Sequence, residues 1–173
     1  MDEPCSTRIV PAVEGDLPSV AALAREIWRL HYPPIIGIDQ TEYMLQRMYA
    51  IDVLQRFIAT PGSAFELLRI DERLAGFLAY GRGPVAGEFR LEKLYVHPDY
   101  HGRGYGATLI DRTETVARAH RTTAIALNVH QRNAIAIRAY QRKGFVVRRA
   151  FANDFGNGRP MDDYEMVKHL IYA

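Results

Sequence analysis

Cysteine is nearly absent: Cys5 is the one cysteine in 173 residues. That excludes an internal disulfide framework and a zinc site built on several thiolates. Long apolar runs are missing as well; none approaches the ~18 residues that a membrane-spanning helix needs. The first ten residues, MDEPCSTRIV, are acidic and hold no apolar core of the length a signal peptide requires. The expected location is therefore the cytoplasm. Cys5 is expected to be a free surface thiol, since a nucleophilic thiolate needs a basic, structured setting. There is no internal repeat, linker or low-complexity tract. His97, His120, His130 and His169 show no metal-ligand spacing, so no metal is expected. Apolar residues at 48% and charged residues at 24% leave an ordinary globular composition, which excludes a collagen-like, mucin-like or disordered chain.

Net charge is also small, +2, but it is unevenly placed. Residues 1–100 carry 10 Lys and Arg against 14 Asp and Glu, whereas residues 101–150 carry 10 against 2. A basic block of this kind suits either a polyanionic partner or a solvated helix face.

The hydrophobic pattern predicts the elements. Thr7–Val10 predicts a strand. Asp16 stands as an N-cap before Leu17, Val20, Leu23, Ile27 and Leu30 at helical spacing, up to Pro33 and Pro34. Thr41 and Asp52 predict the starts of two further helices, the second ending at Pro61 and Gly62. Three strands follow at Phe65–Ile70, Arg73–Tyr80 and Phe89–Val96, separated by a turn at Asp71 and Glu72 and a loop at Gly81, Gly83 and Pro84. Gly104–His120 predicts a long helix with Leu109, Ile110 and Val116 inward, and Ala124–Val129 a buried strand. Asn133–Lys143 predicts a helix stopped by Gly144, and Phe145–Phe151 with Met161–Leu170 a closing hairpin. This order predicts one α+β domain over residues 1–173, with a core of about 7–170, on a mixed, mostly antiparallel sheet flanked by helices.

The segment VHPDYHGRGYGATLI joins a strand to a helix. Its glycines, Gly102, Gly104 and Gly106, let the backbone approach a ligand, and a helix N-terminus presents free N–H groups and a positive dipole end. Together they suit a pyrophosphate, and Arg103 adds a cation. Gly102-x-Gly104-x-x-Ala107 also fits a loose dinucleotide fingerprint, which requires an acidic residue about 20 positions on. Residues 120–128 hold no Asp or Glu. A plain structural turn needs only one glycine.

Here the sequence resembles the GCN5-related N-acetyltransferases, whose acyl-CoA loop reads Gln/Arg-x-x-Gly-x-Gly/Ala. The chain has His101-Gly102-Arg103-Gly104-Tyr105-Gly106, departing from that pattern at His101. The preceding LEKLYVHPDY is similar to the family's central strand. The resemblance implies that the backbone of Leu94, Tyr95 and Val96 holds the pantetheine arm and the thioester carbonyl. It also implies that His101, Gly102, Arg103, Gly104, Tyr105 and Gly106 hold the pyrophosphate. A second motif, Asn133-x-x-Ala136-Ile137-x-x-Tyr140-x-x-x-Gly144-Phe145, matches the family's at every position. By that precedent Asn133 helps to fix CoA and Tyr140 protonates the leaving thiolate; a phenol, with a pKa of ~10, is a donor at pH 7. Asn133, Ile137 and Tyr140 share one helix face. Taken alone, Asn133 also fits a simple N-cap and Tyr140 a core residue.

Acyl transfer to an ammonium requires its proton to be removed first. Glu92, two residues before Leu94, is the first candidate base and a candidate acceptor-site residue. Glu66 and Glu88 are weaker candidates, and a water chain is the alternative. The resemblance implies direct attack in a ternary complex with acetyl-CoA as donor. It further implies that the early helices and the closing hairpin wall the acceptor site. Trp28, Tyr32, Tyr43 and Tyr164 are the acceptor-site candidates, in a region where His31 and Tyr49 add aromatic density. The acidic first hundred residues suit a cationic amine, with cation–π contacts from the aromatics. The expected partner is a primary amine, small molecule or peptide. No nucleic acid and no membrane are expected, and the chain is expected to be a monomer or homodimer. Two other readings are an acyl-CoA-binding sensor without turnover and a phosphate track through Arg118, Arg121, Arg132, Arg138, Arg142, Arg148 and Arg149.

Overall fold

Strand β1 (Thr7–Pro11) leads through a 3-10 turn at Glu14–Asp16 into helix α1 (Leu17–His31). The computed structural model describes residues 6–172, so the thiol of Cys5 lies outside the described residues. Helices α2 (Pro33–Ile36), α3 (Ile38–Tyr49) and α4 (Ile51–Ala59) precede strands β2 (Ala64–Ile70), β3 (Arg73–Arg82) and β4 (Glu88–Val96). A second 3-10 turn at Pro98–Tyr100 leads to α5 (Tyr105–Ala119), β5 (Ala124–His130), α6 (Ala134–Arg142), β6 (Val146–Asn153) and β7 (Met161–His169). The strands hydrogen-bond in the order β1-β2-β3-β4-β5-β7-β6. β1–β2, β5–β7 and β6–β7 are antiparallel, while β4–β5 is parallel, Glu88–Arg90 against Ala124–Ala126. The expected α+β class with a mixed, mostly antiparallel sheet is what the chain adopts.

Two compact units share strands β3 and β4. The first runs through Ala79 and takes up Lys93–Tyr105; the second comprises Tyr80–Glu92 and the chain from Gly106 onward. In the first unit Leu17, Val20, Leu23, Ile27 and Trp28 of α1 are buried, as are Met44, Leu45 and Tyr49 of α3 and Phe65, Leu67, Phe77 and Leu78 of the strands. Each such side chain contributes about 1.5–3 kcal/mol by leaving water. Leu30, expected on the same stripe, is exposed instead. Asp16 does precede α1, but its carboxylate accepts from the Val13 N–H at 3.0 Å and pairs with Arg69 at 3.2 Å, so it caps the 3-10 turn and not the helix. Pro33 ends α1 and begins α2, where a missing N–H costs nothing. Helix α3 starts three residues before Thr41, because Gly37, at a φ of +85°, turns the chain there, and the buried Thr41 hydroxyl donates to Gly37 O at 2.7 Å.

In the second unit Leu109, Ile110, Thr113 and Ala117 of α5 are buried, as are Ala124–Leu127 of β5 and Met166 and Val167 of β7. Val116 is only half-buried. Gly144, at a φ of +87°, ends α6 as expected. Much of the basic block meets carboxylates within this unit. Arg148 is hydrogen-bonded to Glu88, Arg149 to Glu165 at 3.0 Å, Arg118 to Glu114 at 2.7 Å and Lys143 to Asp111 at 2.6 Å. Its charge is to that extent neutralised inside the fold.

Candidate active site

The end of β4 lies unusually close to β3. A Cβ on Gly76 would stand 2.5 Å from the Tyr95 carbonyl oxygen and 3.2 Å from Val96 Cα, so only glycine allows the two backbones to approach. The His97 N–H donates to Ala75 O at 2.8 Å, fixing the strand end. His101 Nε2 then donates to Val96 O at 2.8 Å; a carbonyl only accepts, so the ring hydrogen sits on Nε2. The residue that departs from the family loop pattern thus ties the loop back to the strand.

In that loop Gly102 and Gly104 take φ values of +76° and +84°, a region costly for L side chains. A Cβ at Gly102, Gly104 or Gly106 would meet nothing within 4 Å. Conformation, not crowding, requires the first two glycines, and the space beside all three is open. Helix α5 starts at Tyr105 and runs for 15 residues, so its first N–H groups have no intrahelical acceptor. The Arg103 guanidinium lies 5.8 Å from the Tyr100 ring centroid, at the same end. Open glycines, a helix N-terminus and one guanidinium fit a pyrophosphate.

Asn133, buried, caps α6: its side-chain oxygen accepts from the Ala136 N–H at 3.3 Å. The cap employs the oxygen, so the carboxamide NH2 is what Asn133 can offer a ligand. Ile137 and Tyr140, one and two turns on, are half-buried, and the Tyr140 ring stands 5.7 Å from Phe145. The turn before α6 is built on His130, whose Nδ1 accepts from the Arg132 N–H at 3.2 Å and whose carbonyl accepts from the Asn133 N–H at 2.8 Å. Burial, aided by the Arg132 charge and opposed by Asp162, lowers the His130 pKa. The unfolded chain therefore binds a proton that the folded chain refuses, and stability present above pH ~6.5 is lost as pH falls below it. The melting temperature is expected to fall more steeply between pH 7 and pH 5 in the wild type than in His130→Asn; parallel slopes would deny His130 this part.

The first unit also gathers aromatic rings. Trp28 stacks on Tyr32 at 4.1 Å, with Tyr49 and Tyr95 each 5.9 Å from the indole. The Tyr32 and Tyr95 hydroxyls share a hydrogen bond of 3.3 Å. Two candidate acceptor-site residues, Trp28 and Tyr32, thus meet the side chain of Tyr95, which was expected to hold the cofactor through its backbone. Lys93 Nζ stands 4.9 Å from the Tyr49 ring centroid, so the chain's own ammonium makes the cation–π contact expected of a substrate. Lys93 was not among the expected site residues. Its signal was the period-two spacing that puts it on the same side of β4 as Tyr95. Tyr43 lies six residues before Tyr49, on a different face of α3 at about 100° per residue, and is half-buried. Leu94 is half-buried as well. In the second unit Tyr164 is half-buried on β7, opposite Val129 and Ala150. Glu92 is exposed, with Arg90 Nε 3.9 Å from its carboxylate. Glu88 is held by Arg148 and Glu66 is buried in β2, so Glu92 is the most accessible of the three carboxylates.

The sequence model of the Acetyltransferase (GNAT) family matches residues 21–145, most of the chain. An uncharacterized N-acetyltransferase encoded in the pepI 3′ region of Lactobacillus delbrueckii subsp. lactis is 27% identical over 128 residues, which is 70% of this chain and 74% of that one. Among solved structures, the PaiA N-acetyltransferase of Thermoplasma acidophilum in complex with coenzyme A superposes with a TM-score of 0.81 at 24% identity, covering 95% of this chain and 99% of its own. A GCN5-related N-acetyltransferase from Rhodopseudomonas palustris gives 0.79 at 22%, covering 98% and 100%. At these identities the two structures speak for the fold, and the sequence match speaks for descent: the chain belongs to the GNAT family of N-acetyltransferases, enzymes that take their acetyl group from acetyl-CoA.

Proposed function

We propose that the chain acetylates a primary amine by direct attack in a ternary complex. The observation that carries this reading is the loop His101–Gly106, open at three glycines and running into the N-terminus of α5. Acetyl-CoA supplies an activated thioester. The backbone N–H groups of Gly102, Gly104, Tyr105 and Gly106 take the pyrophosphate, with Arg103 beside them and His101 holding the loop to Val96. Asn133 gives its NH2 hydrogens to the pantetheine arm. The backbone of Leu94, Tyr95 and Val96 holds that arm and polarises the thioester carbonyl. Tyr140 gives its phenolic proton to the departing thiolate, and Glu92, directly or through water, takes the proton of the acceptor ammonium. Trp28, Tyr32 and Tyr95 orient the acceptor, and Tyr43 and Tyr164 border it. Among the described residues no helix is long and apolar enough to cross a membrane. In this reading the chain works in the cytoplasm as a monomer or homodimer.

Thiol release from acetyl-CoA with a panel of amines tests the reading. Tight CoA binding with no amine-dependent release would favour a sensor on the same fold. Tyr140→Phe is expected to lower kcat about 100-fold, the scale of a lost general acid, with CoA affinity within about twofold of wild type. An unchanged kcat would remove Tyr140 from the acid role.

A further inference from the structure

His97 stands where the end of β4 turns toward the loop His101–Gly106. Four hydrogen bonds meet on this one residue. Its N–H donates to Ala75 O at 2.8 Å, and its carbonyl accepts from the Tyr100 N–H at 3.0 Å. Ring Nε2 lies 3.0 Å from Glu26 Oε1 of α1, and ring Nδ1 accepts from the Asp99 N–H at 3.2 Å. The two ring contacts agree on one tautomer. A backbone N–H only donates, so Nδ1 offers a lone pair; a carboxylate accepts, so the hydrogen sits on Nε2. His97 is thereby the N-cap of the 3-10 turn at Pro98–Tyr100, and Glu26 orients the ring that caps it. The turn hands the chain on to the loop: the His101 N–H donates to Pro98 O at 3.0 Å, and His101 Nε2 to Val96 O at 2.8 Å.

Resting on the acetyl-CoA reading above, we propose that His97 is a positioning residue for the cofactor: its neutral ring sets how the loop leaves β4, and a proton on Nδ1 undoes that setting and loosens acetyl-CoA. An imidazolium carries a hydrogen on both nitrogens. Its Nδ1–H would face the Asp99 N–H, donor against donor, and the cap is lost. A new acceptor is near, because Asp99 Oδ2 lies 3.7 Å from Nδ1, while Glu26 keeps its bond to Nε2. Protonation therefore exchanges a backbone partner for a side-chain partner, and the Asp99 peptide has to turn. That peptide lies two residues before His101 and three before Gly102. Facing the ring are Glu26 from α1, Asp99 from the turn itself and, at 6.3 Å, the Tyr100 ring, while β3 offers the Ala75 carbonyl. The ring is 13% exposed, so a proton reaches it from solvent. His101 behaves differently: its Nε2 carries a hydrogen for Val96 O in either charge state.

The 3′-phosphate of CoA itself titrates near pH ~6, so the probe is dephospho-CoA, which keeps the pyrophosphate and lacks that group. Calorimetric titrations at pH 8 and pH 5.5 span the range in which histidine changes charge. The wild-type Kd is expected to rise about tenfold at the lower pH, the scale of one lost hydrogen bond. Asparagine at this position keeps an oxygen for the Asp99 N–H and takes no proton, so in His97→Asn the Kd is expected to stay within about threefold. Amide NMR without nucleotide gives a second readout, with thermal melts to show that both proteins are folded at both pH values. The Asp99 N–H resonance is expected to move with pH in the wild type and not in His97→Asn. Equal pH dependence of Kd in the two proteins, or an Asp99 resonance that behaves alike in both, overturns the proposal. An Asp99 resonance that follows His97 with no dephospho-CoA or CoA bound at either pH would keep the turn's dependence on His97 and refute the cofactor reading; binding with equal pH dependence would do the reverse.

Discussion

Gly104→Val is expected to weaken CoA binding about 100-fold while leaving the protein folded. Gly104 sits at a φ of +84°, where a β-branched residue is strongly disfavoured, so valine forces the loop to another conformation. The cost stays local, because a Cβ there meets nothing within 4 Å. The N–H groups proposed to face the phosphates then turn away with the backbone. Losing two charge-assisted hydrogen bonds at about 1.5 kcal/mol each corresponds to a roughly 100-fold weaker dissociation constant. Gly158, in the β6–β7 turn, is a matched control: its φ is +70° and its Cβ site is equally open. Gly158→Val is expected to cost the same backbone strain, about 1–2 kcal/mol, with CoA affinity unchanged. Calorimetric titration of CoA into both variants, beside thermal melts, decides the matter. Retained affinity in Gly104→Val would remove the loop from cofactor binding.

Gly76→Ala is expected to destabilise the chain by about 2–3 kcal/mol, the range of an overpacked core position, which is a drop in Tm of several degrees. The reason is geometric. The new methyl would lie 2.5 Å from the Tyr95 carbonyl oxygen and 3.2 Å from Val96 Cα, and backbone atoms cannot swing aside as a side chain can. The strand end must move instead, carrying Tyr95 and Val96. A displacement near 1 Å costs about 100-fold in a positioned reaction, so kcat/KM is expected to fall by that order even at temperatures where the variant is folded. Gly15→Ala, where a Cβ meets nothing, should leave both within error. Wild-type Tm and kcat/KM in Gly76→Ala would mean that β3 and β4 separate freely.

Much of this was legible in the chain. Periodicity placed all seven strands of the sheet and the five helices α1, α3, α4, α5 and α6, because burial on one face repeats every two or 3.6 residues. The open loop at Gly102–Gly106 and the cap at Asn133 could be found because their requirements are local: positive φ, a free helix end, one oxygen three residues before an N–H. His101 showed as a departure from a pattern, but its bond to Val96 O did not, since nothing in sequence indicates where a side chain five residues on will turn. The helix start at Thr41 and the capping bond of Asp16 were misjudged for a related reason: Asp, Thr and Gly compete for the same capping and turning roles, and the tertiary contact with Arg69 and the φ of Gly37 settled which residue took which.

By itself, the sequence determined the element order, the pyrophosphate-type loop and the spacing of the Asn133–Phe145 motif, all of which depend on neighbours within about a dozen residues. Tertiary structure alone decided that β7 lies between β5 and β6, that Gly76 must admit Tyr95, and that Arg148 and Arg149 are matched by Glu88 and Glu165. It also decided that Trp28, Tyr32 and Tyr49 close around Lys93 and Tyr95, more than 40 residues away in the chain. Such long-range pairs leave no periodic trace, because each partner's local pattern records only that it is buried, not what it is buried against.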